Sequence, residues 1–542
     1  MFLARLLVLF SLVCISCAHS SFEQKQLKHA LDFATSNRLE LEILLQHYTY
    51  DSLKLEAAKF LIRNMPHCYS YQQGGEMDSV KRVRTYYSPF GQIDQTYARR
   101  WGHYTYRNLP KIYDAHIITA EYLIDNIDRA FDNWQKRPWN RSLSFEDFCE
   151  YLLPYRIGDE PLEEWRELYE KKYGYLLDSI YKGSDVVEAA NLVSRHLQEP
   201  VFIYCEDFEL PHIGPRYLFS HRYGSCVDAA DIVTYAFRAV GIPCMEDTDA
   251  RGGHVWNVVR DTTGRDVPIW YIASEAVRGS RDTGGYKRGK VYRPMYGFQE
   301  EKAAHLGDDW KSMPLLFYHP YMKDVSYAYY PDTLRILTGI PDDEVCYLAH
   351  FHEAHWWSCA CARSASGKME IPNLESELVY LPIKYTKGNY YPSGFPFWFA
   401  GGEINTFLPD WEKTVKVRLY RKYPVYGWLR SFMGHVVGGT FEGSMTKNFE
   451  DGKTLYEIAD TPVIARNRIF LNKSVKCRYI RYKADNDKCA ELVCKLFLLL
   501  RNFLHNNRQQ AQTSRSLWSA LPYRSKQIPR KSNLHENIQY LL

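Results

Sequence analysis

The stretch that most constrains this chain is Arg222–Cys244, RYGSCVDAADIVTYAFRAVGIPC. Ala229, Ile232, Val233, Ala236, Phe237 and Val240 fall on one face at helical spacing, and Gly241 with Pro243 stands where a helix must close. Ser225 is then the natural N-cap and Cys226 the first helical residue. The free N–H groups and the positive end of a helix favour a thiolate, so a cysteine there is more reactive than one in mid-helix. Taken by itself, Cys226 reads equally as a small hydrophobe packing the helix end. A hairpin follows in GGHVWNVVRDTTGRDVPIWYIASEA, where His254, Trp256 and Val258 alternate with Val255, Asn257 and Val259. A turn centred near Gly264 and Arg265 sets His254 opposite Ser274 or Glu275, at about 5 Å and on the same face. Asp261 lies at the turn, about 23 Å from His254, too far to orient its ring.

A cysteine opening an amphipathic helix that ends in RAVGIPC, a GGHVWN strand and an aromatic strand with an acid near its end together resemble the transglutaminase-like superfamily. The resemblance implies a papain-like α+β core, with Cys226 as nucleophile and His254 as its base. The family has an Asp four residues after the second-strand Trp, where this chain has Ser274 after Trp270 and Glu275 next to it. A serine cannot stabilise an imidazolium as a carboxylate does, so Glu275 is the expected third member. The phrases FLIRNMPHCYSY and LLPYRIGDEPLEEWRELY extend the resemblance to exported Bacteroidetes proteins of this superfamily. The implied chemistry is acyl transfer from an amide to water or an amine, with no cofactor and no metal.

The remaining chain reads as a multidomain α+β protein. Residues 1–18 read as a signal peptide, with Arg5 before the apolar run Leu6–Ile15, which is too short to span a bilayer. It ends either by cleavage after Ala18 or by lipidation at Cys17, the second giving an exported lipoprotein of the cell envelope held to the membrane by its lipid alone. Residues 19–181 read as a helical region, with a helix expected from Pro161 onward, and 182–312 as the core. Residues 313–400 read as a β-sandwich built from runs such as VSYAYY, VCYLAHF and LVYLPIKY. Residues 401–495 read as a second β domain, with VKVRLYRKYP near its start. Its KSVKCRYIRYKADNDKCAEL resembles a discoidin-like, galactose-binding-like module, implying carbohydrate as a partner beside a peptide, protein or glycopeptide substrate.

His350, His352, Glu353, His355, Cys359 and Cys361 crowd one segment, but His352-Glu353-Ala354-His355 is one residue short of a helical zinc motif and reads as strand. The 13 cysteines show no paired CxxC clusters. The 68 Lys+Arg and 64 Asp+Glu leave +4, yet eight basic residues against the single acid Glu536 lie after residue 492. The body of the chain is therefore slightly acidic, which gives no ground for a nucleic-acid partner. Residues 496–542, basic and without strand period, read as a poorly ordered tail that departs from the domain's proper sequence, as a frameshift or truncation would.

Overall fold

The computed structural model describes residues 22–84, 104–205, 210–251, 253–272, 274–281, 287–299, 313–337, 342, 344–352, 355–386, 389–408, 433–462, 466–470, 476–485, 493–497 and 537–541. The leader with Cys17 and the run VKVRLYRKYP lie outside these residues. The chain divides into two compact units, one of residues 1–350, 357–394 and 398–404, the other of 351–356, 395–397 and 405–542. The architecture is mixed helix and sheet throughout the first unit and strand-rich in the second.

The helices described in the first unit include α1 (Arg38–His47), α2 (Ser52–Asn64), α3 (Ala120–Lys136), α4 (Arg166–Tyr175), α5 (Val186–Leu197) and α6 (Cys226–Ala239). Side-chain caps open α2, α3 and α5. Asp51 accepts the Lys54 N–H at 3.1 Å, Thr119 the Tyr122 N–H at 3.2 Å and Asp185 the Val187 N–H at 2.8 Å. The expected helix from Pro161 begins only at Arg166. Upstream, the Glu160 carboxylate accepts the N–H groups of Ile157 and Gly158, both at 2.7 Å, and the Arg166 guanidinium donates to the carbonyls of Leu152, Leu153 and Pro154. These bonds satisfy the backbone without a helix.

Helix α6 is buried along its length and lies against a five-stranded antiparallel sheet. Its strands are β1 (Cys244–Asp249), β2 (Val255–Arg260), β3 (Asp266–Ile269), β4 (Val291–Pro294) and β5 (Met322–Asp324), in the order β3-β2-β1-β4-β5. Ile232, Val233, Ala236 and Phe237 of α6 pack with Val186 and Val193 of α5 and Tyr169 of α4. Tyr296, from the sheet region, joins Leu41, Leu61 and Ile127 in a second cluster. Tyr151 joins Met245, Trp256 and Val291 in a third. Residues of the expected regions 19–181 and 182–312 thus share hydrophobic clusters within the first unit.

The C-terminus of α6 shows the bonding directly. Gly241 has φ +82, and the N–H of Ile242 returns to the carbonyl of Phe237 at 2.9 Å, closing the helix in a left-handed cap. Arg137 donates to the Val240 carbonyl at 2.8 Å, and Trp139 and Asn140 donate to the Gly241 carbonyl at 2.9 and 3.0 Å. A Cβ at residue 241 would stand 2.8 Å from the Asn133 carbonyl oxygen, and φ is wrong for an L side chain. Gly241→Ala is therefore expected to cost about 2 kcal/mol or more, read as a lower urea midpoint at unchanged m.

Strands β6 (Val345–His352), β7 (His355–Arg363), β8 (Leu378–Thr386) and β9 (Asn389–Pro392) follow, with β6 pairing β8 and β8 pairing β9, both antiparallel. The histidine- and cysteine-rich segment thus lies on strands β6 and β7. VSYAYY is not a strand: Ser326–Ala328 form a 3-10 turn, because the Ser326 hydroxyl takes the Val291 N–H at 2.9 Å and Asp324 takes the Ser326 N–H.

In the second unit, β10 (Thr440–Ser444), β11 (Lys453–Glu457), β12 (Arg466–Phe470), β13 (Tyr479–Lys483), β14 (Val493–Phe497) and β15 (Asn537–Leu541) form two three-stranded sheets, β11-β10-β13 and β12-β15-β14. Met433, Val436, Phe441 and Ile458 make its core. Residues 496–542 are expected to lack strands, yet β15 lies within them and pairs with β14, which crosses into their start. Backbone hydrogen bonds do not require side-chain alternation, so the sequence pattern gave no sign of them.

Candidate functional site

Cys226 occupies the first turn of α6, buried to 6% exposure. The Asp228 carboxylate takes both the Ser225 N–H at 2.8 Å and the Ser225 hydroxyl at 3.2 Å, so an S-x-x-D cap fixes the turn that carries the thiol.

The relation of α6 to β2 follows from side-chain bonds farther along. The Thr234 hydroxyl donates to Glu246 at 2.7 Å, and Asn257 donates to Thr234 at 2.9 Å and to the Ala230 carbonyl at 3.0 Å. One turn on, Arg238 donates to the carbonyl of Cys244, which pairs with Val259. Helix and strand therefore run in the same direction. Stepping back from Thr234 to Cys226 covers about 12 Å of helix, and from Asn257 to His254 about 10 Å of strand. Cys226 and His254 therefore both stand towards the N-terminal ends of their elements.

His254 stands one residue before β2, 3% exposed. Its carbonyl accepts the Asp249 N–H at 3.2 Å and the Thr248 hydroxyl at 3.1 Å, while its ring lies 4.0 Å from Trp270 and 5.5 Å from Trp256, centroid to centroid. Asp249 faces His254 across the β1–β2 hairpin. Its carboxylate takes the N–H groups of Arg251 and Gly253 at 3.1 and 2.8 Å, fixing the turn that presents the histidine.

Glu275 is not brought to His254. Arg260 pairs with Asp266 and Asn257 with Ile269, so the hairpin centres on Thr263 rather than between Gly264 and Arg265. The Asp261 carboxylate sets that centre by taking the N–H groups of Thr263 and Arg265. With this register β3 ends at Ile269. Ser274 is exposed, its N–H on the Trp270 carbonyl, and Glu275 forms an ion pair with Arg195 at 2.6 Å, both side chains 53% exposed.

The sequence reading missed a second group of residues. A cavity of about 300 Å³ opens on the other part of α6 and is lined by His67, Arg156, His212, Arg238, Glu246 and Tyr321 among others, not by Cys226 or His254. Within it the His212 ring holds the fully buried Asp231 carboxylate at 2.9 Å. Burial alone would lower the His212 pKa, but Asp231, Asp159 and Glu160 outweigh it and hold the imidazole well above its ordinary range. Burial likewise raises the Glu246 carboxyl, offset in part by His212 and the Thr234 bond. The available signals were Asp231 on an otherwise buried helix and the run MEDTD, which forms a strand buried at every position.

Compared with known protein families, curated proteins and solved structures, the chain matches none.

Proposed function

We propose that the chain is an exported protein whose transglutaminase-like core carries out cysteine-dependent acyl transfer or amide hydrolysis on a peptide or glycopeptide. The observation that supports this reading is the parallel run of α6 and β2, with a cysteine in the first turn of the one and a histidine just ahead of the other. In this mechanism the Cys226 thiolate attacks the amide carbonyl carbon, and backbone N–H groups at the start of α6 meet the oxyanion. His254 gives its proton to the leaving amine as the C–N bond breaks. Water or a second amine then attacks the thioester, and His254 takes back a proton as the thiolate leaves.

The test is the rate of Cys226 alkylation by iodoacetamide against pH, read by peptide mass mapping because other free cysteines are present. An activated thiolate reacts well below pH 8. A rate that rises only through the free-thiol value of about 8.5 removes the enzyme reading.

A second reading is a non-catalytic envelope protein that binds glycans or surfaces through β-sandwich and galactose-binding-like regions. It draws support from Glu275, which is spent on Arg195. A glycan-array signal that persists in Cys226→Ala, with no alkylation below pH 8 in the unsubstituted protein, selects this reading.

A further inference from the structure

The cavity beside His212 gathers soft and aromatic side chains from distant parts of the chain. Met245 on β1, Met295 just after β4 and Met322 on β5 line it, together with Tyr69, Tyr296 and Tyr321. Thioethers are polarisable and pack favourably at the edge of an aromatic ring, and tyrosine rings accept another ring edge to face or offset. The volume is about 300 Å³, against the roughly 150 Å³ that lets an apolar cavity take up benzene. One six-membered ring with a small substituent therefore fits.

The charged groups of the lining are of both signs and already have partners. Arg156 pairs with Asp114 and Glu160, and His212 with Asp231. Arg238 donates to the carbonyls of Cys244, Arg156 and Glu150. Asp159 accepts the His212 backbone N–H at 2.9 Å, and Glu246 the Thr234 hydroxyl at 2.7 Å. A charged ligand would leave water for a cavity whose charges are answered from within the protein, which is costly. A neutral ligand avoids that cost.

The polar atom that the protein leaves unanswered is itself neutral. His67 Nδ1 is buried without a hydrogen-bond partner, and among the described residues no other buried side-chain atom of this kind belongs to the lining. Tyr321 stacks on the imidazole, centroids 3.5 Å and planes 18° apart, and holds the ring in place. The second nitrogen, Nε2, lies 3.9 Å from Cys68 Sγ, and that thiol donates to the Asn64 carbonyl at 3.8 Å. Burial pushes the Cys68 thiol up to about 12, so it keeps its proton and its sulfur accepts the Nε2–H. Nδ1 then carries the lone pair. Burial also lowers the His67 pKa to about 3, so the lone pair stays available at neutral pH. A buried acceptor without a donor is costly, and a ligand bringing an O–H to it recovers that cost.

We propose that this cavity binds a small neutral phenol, its hydroxyl donating to His67 Nδ1 and its ring lying among the methionines and tyrosines. The site goes beyond the acyl-transfer reading and does not rest on it, since neither Cys226 nor His254 lines the cavity.

The experiment is calorimetric titration of the full chain at pH 7 with phenol, toluene, benzylamine and benzoate. Phenol is expected to bind. Toluene, which has the ring without the donor, and the two charged probes should bind at least tenfold more weakly. His67→Phe keeps a ring against Tyr321 but removes the nitrogen, and it should bring phenol down to the level of toluene. No binding of phenol, any other probe binding as tightly as phenol, or a His67→Phe protein that binds phenol undiminished overturns the proposal. Should His67→Phe not fold by circular dichroism, Met295→Trp fills part of the same cavity from another side. It is expected to abolish phenol binding, and undiminished binding would again overturn the site.

Discussion

Arg293→Met is expected to destabilise the first unit by about 3–5 kcal/mol, read by urea unfolding at constant pH. Arg293 on β4 donates to both oxygens of Asp247 on β1, at 2.6 and 3.0 Å, and to Asp266 on β3 at 2.8 Å. Tyr329 adds a bond to Asp247 at 2.7 Å, and Tyr151 bonds both Asp266 and Arg293. All three charged side chains are almost wholly buried. Methionine fills much of the volume but leaves Asp247 as a buried carboxylate with a single tyrosine donor. The loss comes from that orphaned charge rather than from the worth of the pair, since ion pairs pay heavily in desolvation. The double variant Asp247→Leu/Arg293→Met should therefore recover much of the loss. If it is as unstable as the single variant, packing and not charge sets the effect.

The second large effect concerns reactivity. On the acyl-transfer proposal, His254→Ala lowers turnover, and with it the alkylation rate of Cys226 at pH 7, by about 10²–10⁴-fold, the range expected for loss of a positioned base. Glu275→Gln, by contrast, should change the rate less than twofold and stability by less than about 1 kcal/mol, because its partner Arg195 is equally exposed. A large loss in Glu275→Gln would restore the carboxylate to the role the sequence suggested. An unchanged Cys226 rate in His254→Ala would show that the two residues act independently.

The contrast between these two side chains shows what was legible in the sequence. Helix α6 could be read nearly residue by residue, because its cap, apolar face and closing glycine are local signals: Ser225 and Gly241 do in the structure what their types imply. Strand β2 was legible from alternation. The register of its hairpin was not, since it depends on where the Asp261 side chain caps the turn, and a shift of two or three residues moves Glu275 out of line with His254. Pro161 misled for a similar reason, as Glu160 and Arg166 satisfy the backbone ahead of the helix. Least legible were the acids of β1. Glu246, Asp247 and Asp249 look like a solvated run, yet each is buried because its partner arrives from a distant element or turn. Hydrophobicity patterns carry no information about such partners.

The bonds from Arg137, Trp139 and Asn140 to the end of α6 bear on how the protein can be handled. A fragment beginning at residue 182 would keep Cys226, His254 and the whole five-stranded sheet, but it would strip the donors from the Val240 and Gly241 carbonyls. It would also bare Tyr296 and Trp256, whose packing neighbours come from upstream helices and from Tyr151. Helix α6 is thus not a portable cassette. Its excision or grafting onto another scaffold must carry the preceding helices with it, and any trimming from the N-terminal side has to stop ahead of Arg137.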